Sequence, residues 1–257
     1  MPYTMVNGHK LYYAESRGPD RCPPLFWVHG AGGDHTHWPP QLRRLPGLTV
    51  YAPDLPGHGR SEGPGRRAIP DYAADVLALL DALDVERVIL GGHSMGGAIA
   101  QTLALDSPKR VAGLILVGTG AKLRVTPQIL DRLPDEFEAV IDTIIEMAYG
   151  PGASDELISL GRRTLAACDP HVLEGDFRAC DAFDVMARLE AIRAPTLVIG
   201  GTSDQLTPPK YVRYLAEHIP NAQLHLIEDA GHMLALEAPQ QVADVVEAWV
   251  GKLRVAS

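Results

Sequence analysis

Four short runs, Leu25-Phe26-Trp27-Val28, Val88-Ile89-Leu90, Leu114-Ile115-Leu116-Val117 and Thr196-Leu197-Val198-Ile199, show no apolar-polar alternation, and a glycine follows each within two residues. A strand with one wet face alternates, so an unbroken apolar run must be covered on both faces. That condition is met in a parallel sheet flanked by helices. Stretches between the runs carry helical spacing: Leu77, Leu80 and Leu83 share one face before the second run, and Val242, Val245, Val246 and Trp249 share another near the end. Weaker strands are predicted over residues 9 to 15, 48 to 52 and 223 to 227, the first in an opening hairpin that gives the sheet an antiparallel start. The pattern is α/β alternation without internal repeats.

One interval breaks the rhythm. From Gly118 to Pro195 there are too many residues for a single crossover helix. Pro127, Pro134, Pro151 and Pro170 punctuate segments with helical spacing, among them Phe137, Val140, Ile141, Ile144 and Ile145 on one face. Three or four short helices are expected. Residues 121–188 are therefore read as a helical lid inserted into a core formed by residues 1–120 and 189–257.

At 257 residues, with 46% apolar and 21% charged side chains, the chain can bury a large core. A net charge of −9, with no basic run beyond the short Gly65-Arg66-Arg67 turn, argues against nucleic acid or an anionic membrane as partner. The opening MPYTMVNGHKLYY has no basic segment followed by an apolar stretch, and nowhere does an apolar stretch approach the roughly 20 residues that span a bilayer, so a cytoplasmic, non-membrane protein is expected. Cys22, Cys168 and Cys180 have neither metal-knuckle spacing nor an even count, so buried reduced thiols are expected and no metal site is suggested.

The segment GGHSMGG, residues 91 to 97, follows the Val88-Ile89-Leu90 strand and precedes the helix-compatible stretch Ala98 to Leu105. Gly92-His93-Ser94-Met95-Gly96 is G-x-S-x-G at a strand-to-helix turn, where a serine is held in a strained conformation with its Oγ exposed. A β-carbon at Gly92 or Gly96 would crowd that turn. The plainer alternative is a serine that caps the helix. The Met95 amide would sit at the helix N-terminus, where unpaired donors favour developing negative charge.

A serine nucleophile needs a base and a group to orient it. His93 is too close in the turn and is read as packing or pocket wall. His29 and His58 lie in glycine-rich turns suited to local backbone bonds. His9, His35, His37, His171, His218 and His225 have no accompanying signature. His232, in Glu228-Asp229-Ala230-Gly231-His232-Met233, stands just past the last strand. Asp204, in Gly200-Gly201-Thr202-Ser203-Asp204, follows the Thr196 strand; Asp54 and Asp229 are competing acids, and Asp54 in DLPGHGRS reads more naturally as part of a structured turn. The loop His29-Gly30-Ala31-Gly32-Gly33 offers a second oxyanion donor, Ala31 N–H first and Gly32 close behind. Trp38, Phe137, Ile145, Leu206 and Met233, with Gly32, are candidates to line a substrate pocket.

The order Ser94, Asp204, His232, together with HGAGG, DLPGHGRS, GHSMGG, GTSDQLTPP and DAGHMLALEAP in sequence, resembles the α/β-hydrolase superfamily and more narrowly its lidded bacterial serine esterases. The resemblance covers nearly the whole chain except the lid. It implies an α/β-hydrolase fold and a cofactor-free carboxylester hydrolase acting on a small molecule and water. The same triad also serves enol-lactonases and hydrolases that cut carbon-carbon bonds of ring-fission products. A ligand-binding protein on a hydrolase scaffold is the reading from a different class. No sequence feature specifies an oligomeric state.

Overall fold

Each unbroken apolar run is a strand at the centre of one sheet. The computed structural model describes residues 2–19 and 22–255. Its strands are β1 (Tyr3–Val6), β2 (His9–Ser16), β3 (Leu25–Val28), β4 (Val50–Pro53), β5 (Val88–His93), β6 (Val111–Val117), β7 (Thr196–Gly201) and β8 (Gln223–Ile227). They lie in the order β1-β2-β4-β3-β5-β6-β7-β8. β2 pairs antiparallel with both β1 and β4, and every other pair is parallel.

Helices cover both faces. Outside the β6–β7 interval they are α1 (Pro40–Arg43), α2 (Ile69–Ala82), α3 (Met95–Asp106), α8 (Pro209–His218), α9 (Leu234–Glu237) and α10 (Pro239–Val255). Alternate residues of the central strands feed two cores. Phe26, Val28, Leu90, Leu114, Leu116 and Val198 pack with α2, α3 and α8, whereas Leu25, Trp27, Ile89, Ile115, Val117, Leu197 and Ile199 pack with α1, α9 and α10. The strands are apolar without interruption because each face has its own core, and each such side chain contributes about 1.5–3 kcal/mol on burial. Among the described residues no helix is long and apolar enough to cross a membrane.

Two local expectations change. On α2 the buried face is Ile69, Tyr72, Ala73, Val76, Leu79 and Leu80, with Leu77 and Leu83 only half-buried at its flank. The leucine triplet marked the helix but not the full width of its apolar stripe. Of the three free cysteines only Cys180 is buried.

Between β6 and β7 the chain forms α4 (Pro127–Arg132), α5 (Phe137–Ala148), α6 (Asp155–Ala166) and α7 (Pro170–Ala182). Pro127 and Pro170 occupy the first turns of α4 and α7, where a missing N–H costs nothing. Ser154 and Asp169 cap α6 and α7 through their side-chain oxygens. α5 buries Val140, Ile141 and Ile144, whereas α6 buries no residue fully and leaves Leu160 50% exposed.

The register aligns Val28 with Gly92, His93 with Val117, Val117 with Ile199 and Gly201 with Ile227. The carboxyl ends of five parallel strands are therefore level, and the loops that leave them meet along one edge, where open α/β sheets bind ligands.

Trp38 is wholly buried against Trp27, the rings stacked at 4.1 Å, and it belongs to the core on the α10 side. Replacing it with alanine should cost about 3–5 kcal/mol, read as a lower urea midpoint. An unchanged midpoint would mean that the ring is not part of that core.

Candidate active site

Ser94 sits where β5 ends and α3 begins, at φ 53° and ψ −118°. Its hydroxyl makes no capping bond to the helix, which removes the plainer role for this serine. The turn is closed by backbone contact: a β-carbon on Gly92 would lie 2.1 Å from Gly96 O, and one on Gly96 would lie 2.2 Å from Val28 O. Only glycine fits either position. Ser94 N–H donates to Val117 O and Thr119 Oγ1 donates to Ser94 O, so the strained residue is held on both sides.

Asp204 follows β7 and His232 follows β8. His232 Nδ1 lies 2.9 Å from Asp204 Oδ2 and 3.1 Å from Thr207 Oγ1. Asp204 also accepts from Thr207 Oγ1 and from the amides of Leu206 and Thr207. Burial pushes its carboxyl upward, but the His232 charge and these donors outweigh it and hold the group below the usual carboxylate range. An ionised carboxylate only accepts, so His232 Nδ1 carries the hydrogen and a neutral ring leaves Nε2 free to take a proton. Ser94 and His232 line one cavity of 410 Å³.

His93 Nε2 is committed to His232 O at 2.9 Å. Burial, then the neighbouring His232 and His37, holds its ring well below the ordinary histidine range. It lines the cavity as a neutral wall. Asp54 accepts from His35 N–H, His35 Nδ1 and Arg60 N–H, which is the turn-holding role its segment suggested. Asp34, His35 and Asp54 bring one potential metal-ligand atom each within 4.8 Å of one another, yet both Asp54 oxygens are already engaged in these bonds.

In the loop after β3, the Gly32 amide donates to Asp176 Oδ2 and the Gly33 amide to Gly30 O. Gly32 is thus turned away from a substrate role, and a β-carbon there would strike Leu165 and Leu173. Ala31 lines the cavity, as do Ile145, Leu206 and Met233. Trp38 and Phe137 are not among the cavity-lining residues: Trp38 is sequestered by Trp27, and Phe137, the first residue of α5, packs on the cluster of Ile129, Leu133 and Val140. Met95 keeps its side chain in the core, with its amide in the first turn of α3.

The residue that the sequence did not disclose is Asp176. Fully buried on α7, it accepts from Gly32 N–H at 2.8 Å, from His58 Nε2 at 2.8 Å and from Tyr72 Oη. His58 Nδ1 faces Pro56 O, which can only accept. One proton must therefore be held between His58 and Asp176, and although burial opposes it, the Asp176 charge raises the His58 pKa. The available signal was an acid at helical spacing on the apolar face Leu173, Asp176, Ala179, Cys180. His29 completes the anchoring, with Nδ1 on Gly30 O and Nε2 accepting Leu55 N–H.

The loop of His232 is tied to the same insertion. His232 and Met233 amides donate to Ala148 O, and Glu237 accepts from Gly150 and Gly231 amides.

Asp176→Ala strands three buried donors, so it should lower unfolding free energy by about 3–5 kcal/mol in urea titrations; a change under about 1 kcal/mol would dissolve the network. A second expectation concerns pH. Burial is the leading cause that lowers His29 and His93 well below 6.5 and His37 to about 4. These rings are neutral when folded and take protons on unfolding, so their stability contribution is complete above about pH 6.5 and is lost as pH falls toward 4. The urea midpoint should drop between pH 7 and pH 5, and a flat profile there would contradict the neutral buried rings.

A family model described as the alpha/beta hydrolase family matches residues 25–245. The chain is 35% identical to a putative carbamate hydrolase, RutD, of Variovorax paradoxus over 86% of its length and 89% of the relative's. Superposed on a thermophilic esterase, it gives a TM-score of 0.86 at 35% identity, covering 98% of this chain and 97% of the other. The enol-lactonase of Burkholderia xenovorans LB400 gives 0.90 at 27% identity, covering 97% and 100%. With its sheet order, its serine turn and these likenesses, the chain belongs to the alpha/beta hydrolase family.

Proposed function

We propose that the protein is a serine hydrolase that cleaves carboxylic esters of small, largely apolar molecules. The carrying observation is the cavity that the strained Ser94 and the Asp204-oriented His232 line together, more than half of whose lining residues come from the insertion. Ser94 Oγ attacks the ester carbonyl while His232 Nε2 takes the hydroxyl proton. The Ala31 and Met95 amides receive the oxyanion; Ala31 lines the cavity, whereas the Gly32 amide is already engaged by Asp176 and the Gly33 amide by Gly30 O. Collapse of the intermediate expels the alcohol with the proton from His232. Water, deprotonated by His232, then attacks the acyl group, and the second collapse frees the acid and restores Ser94. No metal or organic cofactor enters these steps.

The likeness to an enol-lactonase supports a second reading, in which the same residues open an enol-lactone and the acyl-enzyme retains the ring-opened chain. Hydrolysis of p-nitrophenyl butyrate and of an enol-lactone separates the two.

Ser94→Ala should lower kcat by about 10⁴- to 10⁶-fold, equivalent to roughly 5–8 kcal/mol of barrier. A fluorophosphonate should add one label to the wild type and none to the variant, read by intact mass. Near-normal turnover by Ser94→Ala would remove the nucleophile, and a labelled wild type that ignores simple esters but opens the lactone would move the assignment to the second reading.

A further inference from the structure

Arg124 is the only Lys, Arg, Asp or Glu among the residues lining the cavity of Ser94 and His232. The rest of that wall is aliphatic, aromatic or neutral polar. A lone cation on such a wall is conspicuous in a chain whose net charge is −9. It is also without an ion-pair partner among the described residues. The neighbouring acids are bonded to other groups: Asp184 feels the Arg124 charge but is bridged by Lys122 Nζ and accepts Met186 N–H, and Asp181 accepts Val125 N–H.

A second cavity of 360 Å³ adjoins the first, with Arg124 and Tyr211 common to both. Its other lining residues include Lys122, Lys210 and Tyr214, and no carboxylate lines it. Lys210 lies over the Tyr211 ring at 5.6 Å. The two cavities therefore meet at Arg124 and Tyr211, and the second carries basic and aromatic side chains. The backbone carrying Arg124 is fixed on both sides. Lys122 bridges Asp184, Leu123 N–H donates to Phe183 O, and Val125 N–H donates to Asp181. An exposed guanidinium at the rim of an apolar cavity, on an anchored backbone and outside salt-bridge distance of any described acid, is suited to receive a carboxylate in bidentate fashion.

We infer that Arg124, with Lys210 in the adjoining cavity, forms a subsite for a carboxylate at the far end of the substrate. The preferred substrates are then monoesters of dicarboxylic acids, with the chain in the apolar cavity and the free acid at Arg124. This rests on the ester-hydrolase reading for the reaction itself, but the subsite is a binding claim and is tested separately from turnover.

The experiment compares p-nitrophenyl hydrogen adipate with its methyl ester, which has the same chain and leaving group but no charge, on wild type, Arg124→Gln and Arg124→Lys at low salt. The wild type should favour the anionic substrate in kcat/KM. Arg124→Gln should reduce kcat/KM for it by about three- to fivefold through KM, the upper end of what an exposed charge pair contributes. The neutral ester should change less than twofold, and Arg124→Lys should restore part of the loss. Salt at 0.5 M should erase most of the preference. In parallel, calorimetric titration with N-benzyl adipamic acid and N-benzyladipamide, its primary amide, neither of which carries an ester, reads the subsite without ester turnover. The anionic compound bound more tightly than the neutral one, with the difference lost in Arg124→Gln, upholds the subsite even if no adipate ester is hydrolysed; that combination would overturn the ester reading alone. Equal binding of the two amides, or equal losses on both substrates in Arg124→Gln, overturns the subsite and leaves Ser94 chemistry untouched.

Discussion

The contact on which the rest of this structure depends is between backbones. At the start of α3, Gly96 lies so close to the carbonyl of Val28, and Gly92 so close to the carbonyl of Gly96, that no side chain fits at either position. This closeness brings the helix down onto β3 and β5 and turns Ser94 through a left-handed φ that a non-glycine residue adopts only under constraint. The strain is sustained by the packed core behind it, where the central strands and α3 bury side chains completely. Stability in the sheet is in this sense converted into geometry at one residue.

The insertion is more than a cover over that geometry. Asp176 on α7 holds the Gly32 amide and with it the loop beside Ala31, while the carbonyl of Ala148 and the amide of Gly150 hold the loop and helix around His232. Two of the three loops that surround Ser94 thus take hydrogen-bond partners from the helical segment inserted between β6 and β7. Because Asp176 is wholly buried and shares a proton with His58, separating α7 from the core would expose or orphan a charge, a costly step compared with breaking apolar contacts. The site is therefore assembled from both parts of the chain.

Much of this was legible in the chain. Leu25 to Val28 and its three counterparts betrayed buried parallel strands because covering both faces leaves a direct mark on composition. Gly92, Ser94 and Gly96 marked the turn because sterics there tolerate so little. Asp204 and His232 could be selected because each immediately follows a strand whose end had already been located. Side-chain destinations were not legible. Trp38 was as suitable for a pocket as for a core, and its fate was decided by Trp27 on β3, onto which the connection after that strand folds back. Gly32 had the composition of an oxyanion loop, but its amide direction was set by an acid 144 residues away. His58 looked locally satisfied, and its bond to Pro56 O is real, yet its second partner lies 118 residues downstream. Periodicity reports that a face is buried and not what lies against it, which is why Leu77 and Leu83 were placed too centrally on α2.

The fastening of the insertion is uneven. α5 ends in the bonds to the His232 loop and α7 carries Asp176, whereas α6 buries no residue completely although Leu157, Leu160 and Leu165 face the cavity. α6 is joined to α5 by exposed bridges from Arg162 to Glu138 and Asp142, whereas the bonds that hold the loops around Ser94 lie elsewhere. Its cavity-facing leucines shape the wall without taking part in the hydrogen bonds that Asp176, Ala148 and Glu237 make to the loops around Ser94 and His232. The contour of the cavity is therefore separable from the fastening of the residues beneath it.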